Sequence, residues 1–359
     1  MTKKLHGQRM SPEWEEFHRR SGKKAKRLCL LGMILFLLIV LSAAIGASSV
    51  DLNIVVTVLK DCITGSTEAS SVQHSIVMRS RLPRIFAAVF AGGALSLAGL
   101  LMQGIFRNPL VSPYTLGVSN GASFGACVAI VLGYYVTELN FVRWLTPALA
   151  FASAVLTMLI VYGIAKVAGQ STKTLVLTGS AIAYLFSALV SGIKYAVDIT
   201  ALPELVFWQM GSLTGLTWDV VGILLAALAI SATIALIKAW DLNVMALGRE
   251  EASALGVNYR RMQAITFVLA TLLTATAVSF TGVIGFVGLV APHITRMLLG
   301  NDYRYNVPAS VLLGSCLLLL SDTIARVIIA PTELPVGIVT SLIGVPFFLY
   351  LVVRRRRVG

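Results

Sequence analysis

Apolar stretches alternate with short polar segments from residue 28 to residue 353, and this alternation sets the architecture. At 1.5 Å per residue, about twenty helical residues cross a hydrocarbon core of roughly 30 Å. The clearest case is the gap between Arg84 and Arg107, which holds no charged residue. Comparable runs occupy residues 28–50, 114–135, 145–167, 175–195, 220–237, 262–283, 307–325 and 336–353, with a shorter one in GFVGLVAPHITRMLLG at 285–300. Glycine and proline interrupt that shorter run, which predicts a tilted or partly unwound crossing. The pattern predicts an all-α polytopic membrane protein of about ten transmembrane helices.

The polar segments are less uniform. Residues 51–80 carry alternating apolar positions that predict a short surface helix beyond the first span. The loop DITALPELVFWQMGSLTGLTW, residues 198–218, is rich in Pro, Gly and Trp and suits an interface, with Trp208 and Trp218 at headgroup level. The stretch AWDLNVMALGREEASALGVNYRR, residues 239–261, is too charged to cross. Small residues recur at helical spacing as Gly92, Ser96 and Gly99, and again as Gly117, Gly121 and Gly125, a pattern that lets helix backbones approach closely in lipid.

Composition agrees with this reading: 57% of the 359 residues are hydrophobic, 13% are charged, and mean hydropathy is +0.84. The formal charge of +13 acquires meaning once the segments are assigned to sides. With residues 1–27 as a basic cytoplasmic tail and 28–359 as a single transmembrane domain, 22 of the 29 Lys and Arg residues fall inside and 7 outside. The inside then carries +15 and the outside −2, so the charge is an orientation signal, with both termini cytoplasmic, and not a sign of nucleic acid. Ser42-Ala43-Ala44 has the small-residue pattern of a leader cleavage site, but the run containing it is long enough to span and is read as a retained helix.

The candidate chemistry is sparse. Cys29, Cys62, Cys127 and Cys316 form no CxxC pair and read as small buried hydrophobes; the four histidines include no HExxH, and His293 reads as a buried hydrogen-bonding residue. No metal and no cofactor is called for. The absence of GxxxxGK[ST] means that this chain does not itself bind ATP through a P-loop.

Four blocks carry a resemblance: RLPR; GGALSLAGLLMQGIFRNPLVSPYTLGVSNGA; VIGFVGLVAPHITRMLLGNDYR; and ELPVGIVTSLIGVPFFLYL. Together they resemble the signature blocks of the FecCD/BtuC-like permease subunits of ABC importers for iron-siderophore, heme and cobalamin, over nearly all of residues 28–353. The resemblance implies a BtuC-like bundle of ten helices with inverted repeats about the sixth span. Two permease subunits, as a homo- or heterodimer, then surround a pathway, served by a cytoplasmic ABC ATPase dimer and an extracytoplasmic substrate-binding protein. The paired Pro-broken stretches at Asn108-Pro109 and Ala291-Pro292 are an independent hint of such repeats.

Site candidates follow from both readings. Arg81 and Arg84 lie at the outer mouth by the charge count, where guanidinium groups commonly anchor by snorkelling; the resemblance implies that they and Arg326 dock the acidic lobes of the binding protein. Asp322, four residues before Arg326, is placed to pair with it along a helix. Residues 246–258 include about two helical turns between Gly248 and Gly256, the latter suited to a left-handed C-cap. On its own this is a surface helix that closes a loop, whereas the resemblance implies a coupling helix seated on the ATPase. Its predicted apolar ridge is Leu247, Ala252 and Leu255, with Arg249, Glu250 and Glu251 as rim charges. Arg107-Asn108-Pro109 reads first as a structural turn and secondly as part of an inner gate. The best pathway candidates are Thr178, Ser180, Ser187 and Ser191, on the polar fifth span.

Two other classes compete with a permease. An ion-driven secondary transporter usually needs carboxylates within the membrane, and here the acids fall in loops or at span ends. An intramembrane enzyme needs a nucleophile-base or metal constellation, which neither TGS at Thr178 nor MGS at Met210 brings with it. Ferric siderophore is the first choice of substrate, with heme and cobalamin as alternatives.

Overall fold

The computed structural model describes residues 12–46, 51–66, 69–135, 139–168 and 172–355, and among these every regular element is helical. Helix α1 (Pro12–Ala44) is followed by the short helices α2 (Leu52–Thr64) and α3 (Ser71–Ser75). A π-turn at 76–81 then leads without interruption into α4 (Leu82–Ile105). A 3-10 turn at 113–116 precedes α5 (Val118–Tyr135), α6 (Leu139–Val167) and α7 (Thr172–Ala196). The second half runs through α8 (Leu202–Met210), α9 (Trp218–Ile237), α10 (Ala239–Met245), α11 (Arg249–Ala254), α12 (Tyr259–Thr281), α13 (Val287–Leu299), α14 (Tyr303–Val327) and α15 (Val336–Arg355). Among the described residues seven helices are long and apolar enough to cross a membrane, and α5, α13 and α15 supply shorter apolar segments. Together these are the predicted crossings.

Several boundaries differ from the sequence pattern for identifiable reasons. Helix α1 begins well before residue 28, so the basic residues from Arg19 to Arg27 share one helix with the first span. At 33 residues it is about 50 Å long, well beyond the roughly 30 Å of hydrocarbon it has to cross. It ends at Ala44, short of the predicted residue 50; residues 47–50 lie outside the described residues. Helix α5 starts only at Val118, because Gly117 closes the preceding 3-10 turn at φ 82°. The expected interruption near Pro292 occurs earlier, at residues 282–286, while Pro292 itself lies inside α13. In that unwound stretch the amide of Ile284 donates to the Tyr114 hydroxyl at 3.2 Å, so freed backbone is satisfied by side-chain chemistry within the protein.

Helix α4 is the axis of the packing. In its most apolar window 89% of residues are buried, against 17% for α1 and α7. It packs on α9, α12, α13 and α14, while α5 joins α6, α7 and α8 in a second group bridged to the first by α12. The spaced small residues explain how α4 fits. A methyl group on Gly92 would strike the carbonyl of Gly314 on α14, and one on Gly99 would strike the carbonyl of Gly288 on α13. Ser96 and Ser310 exchange a hydrogen bond at 3.1 Å, and Ser315 donates to the Val89 carbonyl at 2.6 Å. Polar bonds of this kind contribute only about 0.6 kcal/mol each in lipid, so close van der Waals packing is the larger contribution along the seam.

The cysteines divide. Cys127 and Cys316 are buried, as the pattern predicts, whereas Cys29 and Cys62 are exposed, with Cys62 Sγ 3.4 Å from His74 Nε2. A cysteine in an apolar run is buried only if its face of the helix is covered, and those two faces are not.

Candidate functional site

Three places gather the predicted residues. At one end of the bundle, the π-turn and the first turn of α4 bring Arg81 and Arg84 against the last turns of α14. Arg84 donates from Nε to Asp322 Oδ1 at 3.0 Å, and its Nη1 reaches Glu333 Oε2 at 2.6 Å. Asp322 also lies 3.1 Å from Arg326 Nε, the predicted pair along the helix, close in distance but not aligned as a hydrogen bond. Arg326 donates to the carbonyl of Ile45 at 3.1 Å and to the hydroxyl of Ser42, while Arg81 donates to the carbonyl of Ala43 at 2.8 Å. The last carbonyls of a helix have no partner within it; here two arginines from other segments supply that partner for the end of α1.

This geometry corrects the picture of arginines standing at an open mouth. Arg81, Arg84 and Arg326 are only 5%, 8% and 3% exposed, so they neither snorkel nor present a free fork. Glu333, which the sequence reading placed outside but gave no role, reaches from the loop before α15 to Arg84 and accepts a bond from Thr214 at 3.2 Å. The cluster thus ties α1, α4, α14 and two loops into one lattice.

At the other end, α11 forms between Gly248, at φ 144°, and Gly256, at φ 80°. The amide of Val257 bonds the Ala252 carbonyl at 2.9 Å and that of Gly256 bonds Ser253 at 3.1 Å, a Schellman closure that satisfies the last carbonyls. The predicted ridge divides: Ala252 is fully buried against the bundle, and only Leu247 and Leu255 stay exposed, together with Arg249, Glu250 and Glu251. Leu247 precedes α11 and Leu255 caps its end, so neither is held to the face that Ala252 turns to the bundle. The preceding helix α10 is fixed from behind. Asn243 donates to Asp302 Oδ1 at 3.0 Å and accepts from the amide of Tyr303 at 2.8 Å. Burial pushes the Asp302 carboxyl up, but hydrogen bonds from Arg304 and Asn243 outweigh it and hold the group down at about 2.

Nearby, α4 ends in a second Schellman closure, with Asn108 bonding the Gln103 carbonyl at 3.2 Å and Arg107 bonding Gly104 at 3.2 Å. Arg107 takes the left-handed position, φ 48°, that glycine usually fills. Asn108 Oδ1 then accepts from the Leu110 amide at 3.0 Å, so the turn reading of Arg107-Asn108-Pro109 describes its geometry. Asn108 and Pro109 also line a cavity of about 470 Å³ shared with α13.

The third place lies between α5, α7 and α8. A smaller cavity of about 200 Å³ is lined by Ser119, Asn120, Ser123, Ser187 and Gln209. Of the four predicted pathway residues, Ser187 enters this niche; Ser191 is exposed one turn further on, and Thr178 and Ser180 are half-buried. Ser180 and Ser191 donate back along their own helix at 2.9 Å. The amides Asn120 and Gln209 are the residues that sequence reasoning missed. Asn120 donates to the Ala183 carbonyl at 3.1 Å, and Gln209 accepts from Lys194 at 2.8 Å. The polar motif SNGAS opening α5 was a usable signal for three of the lining residues, Ser119, Asn120 and Ser123.

Comparison with known proteins agrees with this architecture. The model of the FecCD transport family matches residues 34–354. The hemin transport system permease protein HmuU of Yersinia pestis is 36% identical over 339 residues, covering 94% of this chain and 98% of the relative. The iron(3+)-hydroxamate import system permease protein FhuB of Bacillus subtilis is 36% identical over 332 residues, covering 92% of this chain and 82% of that protein. A solved inward-facing structure of an ABC transporter assigned to the metal-chelate type aligns with a TM-score of 0.78 at 33% identity, covering 92% of this chain and 99% of that one. With its helical bundle, its lack of a P-loop and a match over almost its whole length, this chain belongs to the FecCD transport family and is an ABC importer permease.

Proposed function

We propose that this permease forms one half of a pathway for ferric siderophores, with heme and cobalamin as the alternative cargoes. The observation that carries the reading is α7. It is the right length to cross, yet only 17% of its apolar window is buried within the chain, and of its exposed polar residues Ser187 lines the Asn120–Gln209 niche and Ser191 lies one turn further on. A polar, uncovered face on a membrane helix calls for another subunit or a water-filled pathway beside it. A second permease subunit, of the same or a related chain, supplies both. Relatives named for hemin, iron(3+)-hydroxamate, Fe(3+)-citrate and cobalamin support the cargo class.

In this scheme the end bearing Arg107 and α11 is cytoplasmic, as the charge count favours, and both termini lie there. Leu247, Arg249, Glu250, Leu255 and Gly256 form the surface offered to a cytoplasmic ATPase dimer, and the buried Gly248 and Ala252 hold it to the bundle. The extracytoplasmic binding protein docks on the opposite end. Arg81, Arg84 and Arg326 shape that end from below, with Glu333 and Thr214 nearer its surface.

An ion-driven carrier is the competing reading. Asp322 is the buried carboxylate that such a carrier would use, but it is already engaged by Arg84 at 2.9 Å and lies 3.1 Å from Arg326, so it does not stand open to a coupling ion. The experiment is uptake of ferric siderophore, heme or cobalamin into proteoliposomes holding the reconstituted permease, ATPase and each cognate binding protein. ATP-dependent uptake of a ferric siderophore supports the proposal. Uptake driven by an ion gradient without ATP refutes it, and ATP-dependent uptake of heme or cobalamin alone moves the cargo assignment.

A further inference from the structure

The cavity of about 470 Å³ at the α11 end has a composition that its structural role leaves unexplained. It lies between the closing turn of α4 and the last turns of α13. Its polar wall includes Gln103, Arg107, Asn108, Arg296, Asn301 and Tyr303, and no carboxylate lines it. One water occupies roughly 30 Å³ of liquid, so the space holds a polyatomic ion with its hydration.

Arg296 is the decisive residue. Its hydrogen bond is a long one, Nη2 to the carbonyl of Leu100 at 3.4 Å, and among the described residues no carboxylate pairs with it. Asp302, near in sequence, is already held by Arg304 and Asn243. The last turn of α13 does favour a cation, but the helix dipole is a weak counter-charge by itself. The Arg296 guanidinium is half-buried, and its partial withdrawal from water is not offset by an ion pair. A counter-charge is therefore missing, and the cavity is where it fits.

Arg107 approaches the same space from the opposite wall. Its left-handed backbone closes α4 and sets its side chain at the rim beside Gly248, where Glu251 also lies without forming an ion pair with it. Two planar guanidinium groups from different elements, with a phenol and three amides lining the same space, suit an anion that carries several oxygens pointing in different directions. A phosphate has that geometry and tolerates donors on every side.

We propose that this cavity is a binding site for a phosphate-bearing anion, either inorganic phosphate or the headgroup of an anionic phospholipid, held between Arg296 and Arg107. Occupancy ties the end of α4 to α13 beside α11, so the site is placed to tune the motion of that end.

The test uses the full chain purified in detergent and stripped of lipid. Its thermal unfolding is followed against inorganic phosphate at constant ionic strength, with chloride as the control, and separately against phosphatidylglycerol and phosphatidylcholine. The expected result is a saturable stabilisation by phosphate or by phosphatidylglycerol, weakened at least tenfold in Arg107→Gln and abolished in Arg296→Gln. Saturation with phosphate identifies the free ion; a response to phosphatidylglycerol alone identifies the headgroup. If Arg296→Gln does not fold, the exposed rim variant Arg107→Gln decides by itself. Absence of saturable binding by both probes, or unchanged affinity in Arg107→Gln, overturns the proposal.

Discussion

Arg84 and Asp322 lie 238 positions apart in the chain and meet at 3.0 Å, both buried, at the end of the bundle where α4 crosses α14. Asp322 also faces Arg326, so one fully buried carboxylate serves two guanidinium groups, with the half-buried Glu333 as a second partner for Arg84 alone. The net gain of such an arrangement over an apolar core is small, but the penalty for removing one member is not.

Asp322→Asn is therefore expected to destabilise the protein by about 3–5 kcal/mol, because it leaves buried Arg326 without a carboxylate and Arg84 with Glu333 alone. Glu333→Gln is expected to cost about 1 kcal/mol or less, since the Glu333 side chain is 30% exposed and water screens the loss. Thermal unfolding of the two variants in the same detergent compares them. Equal losses would show that the cluster does not act as a buried network.

The seam of α4 gives a sharper steric prediction. Gly99→Ala places a methyl group on the carbonyl of Gly288, and the expected cost is about 1–3 kcal/mol from overpacking. Gly163→Ala, on α6, meets nothing within 4 Å, and is expected to be neutral or to stabilise by about 0.4–1 kcal/mol through the unfolded chain. Both are measured by thermal unfolding, and a neutral Gly99→Ala would mean that the helices are not in contact there.

Leu255→Glu and Ala252→Leu separate surface from core on α11. Leu255 is 61% exposed, so its replacement is expected to leave unfolding unchanged while reducing ATPase stimulation by the binding protein at least tenfold. Ala252 is fully buried, and its enlargement is expected to lower thermal stability. Full ATPase stimulation in Leu255→Glu would place the coupling contact elsewhere.

The Asp302 carboxyl sets a pH window. Its pKa falls from 3.8 to about 2 on folding, so its stabilising effect is complete above about pH 4 and is lost as the pH falls through about 2. Asp302→Asn removes that dependence and its link to Asn243. The difference in unfolding temperature between wild type and variant is expected to shrink on acidification from about pH 4 to about pH 2; a constant difference would mean that Asp302 does not titrate with folding.

The apolar runs, their basic ends and the small-residue spacing determined the helical bundle, because crossing lipid is a requirement each segment meets alone, through length and composition. The pair Asp322 and Arg326 was legible for the same reason, being one helical turn apart. The inward turn of Arg81 and Arg84 was not, since it depends on the end of α1 and on Glu333 arriving from distant parts of the chain. Nor was the face of Ala252, because a short helix has too few residues for its periodicity to fix which side is covered. Pro292 suggested a break that the structure places at residues 282–286, where Tyr114 can accept the freed amide. Local pattern fixes what a segment is; which of its groups are covered, paired or left facing a cavity is decided only when the helices pack.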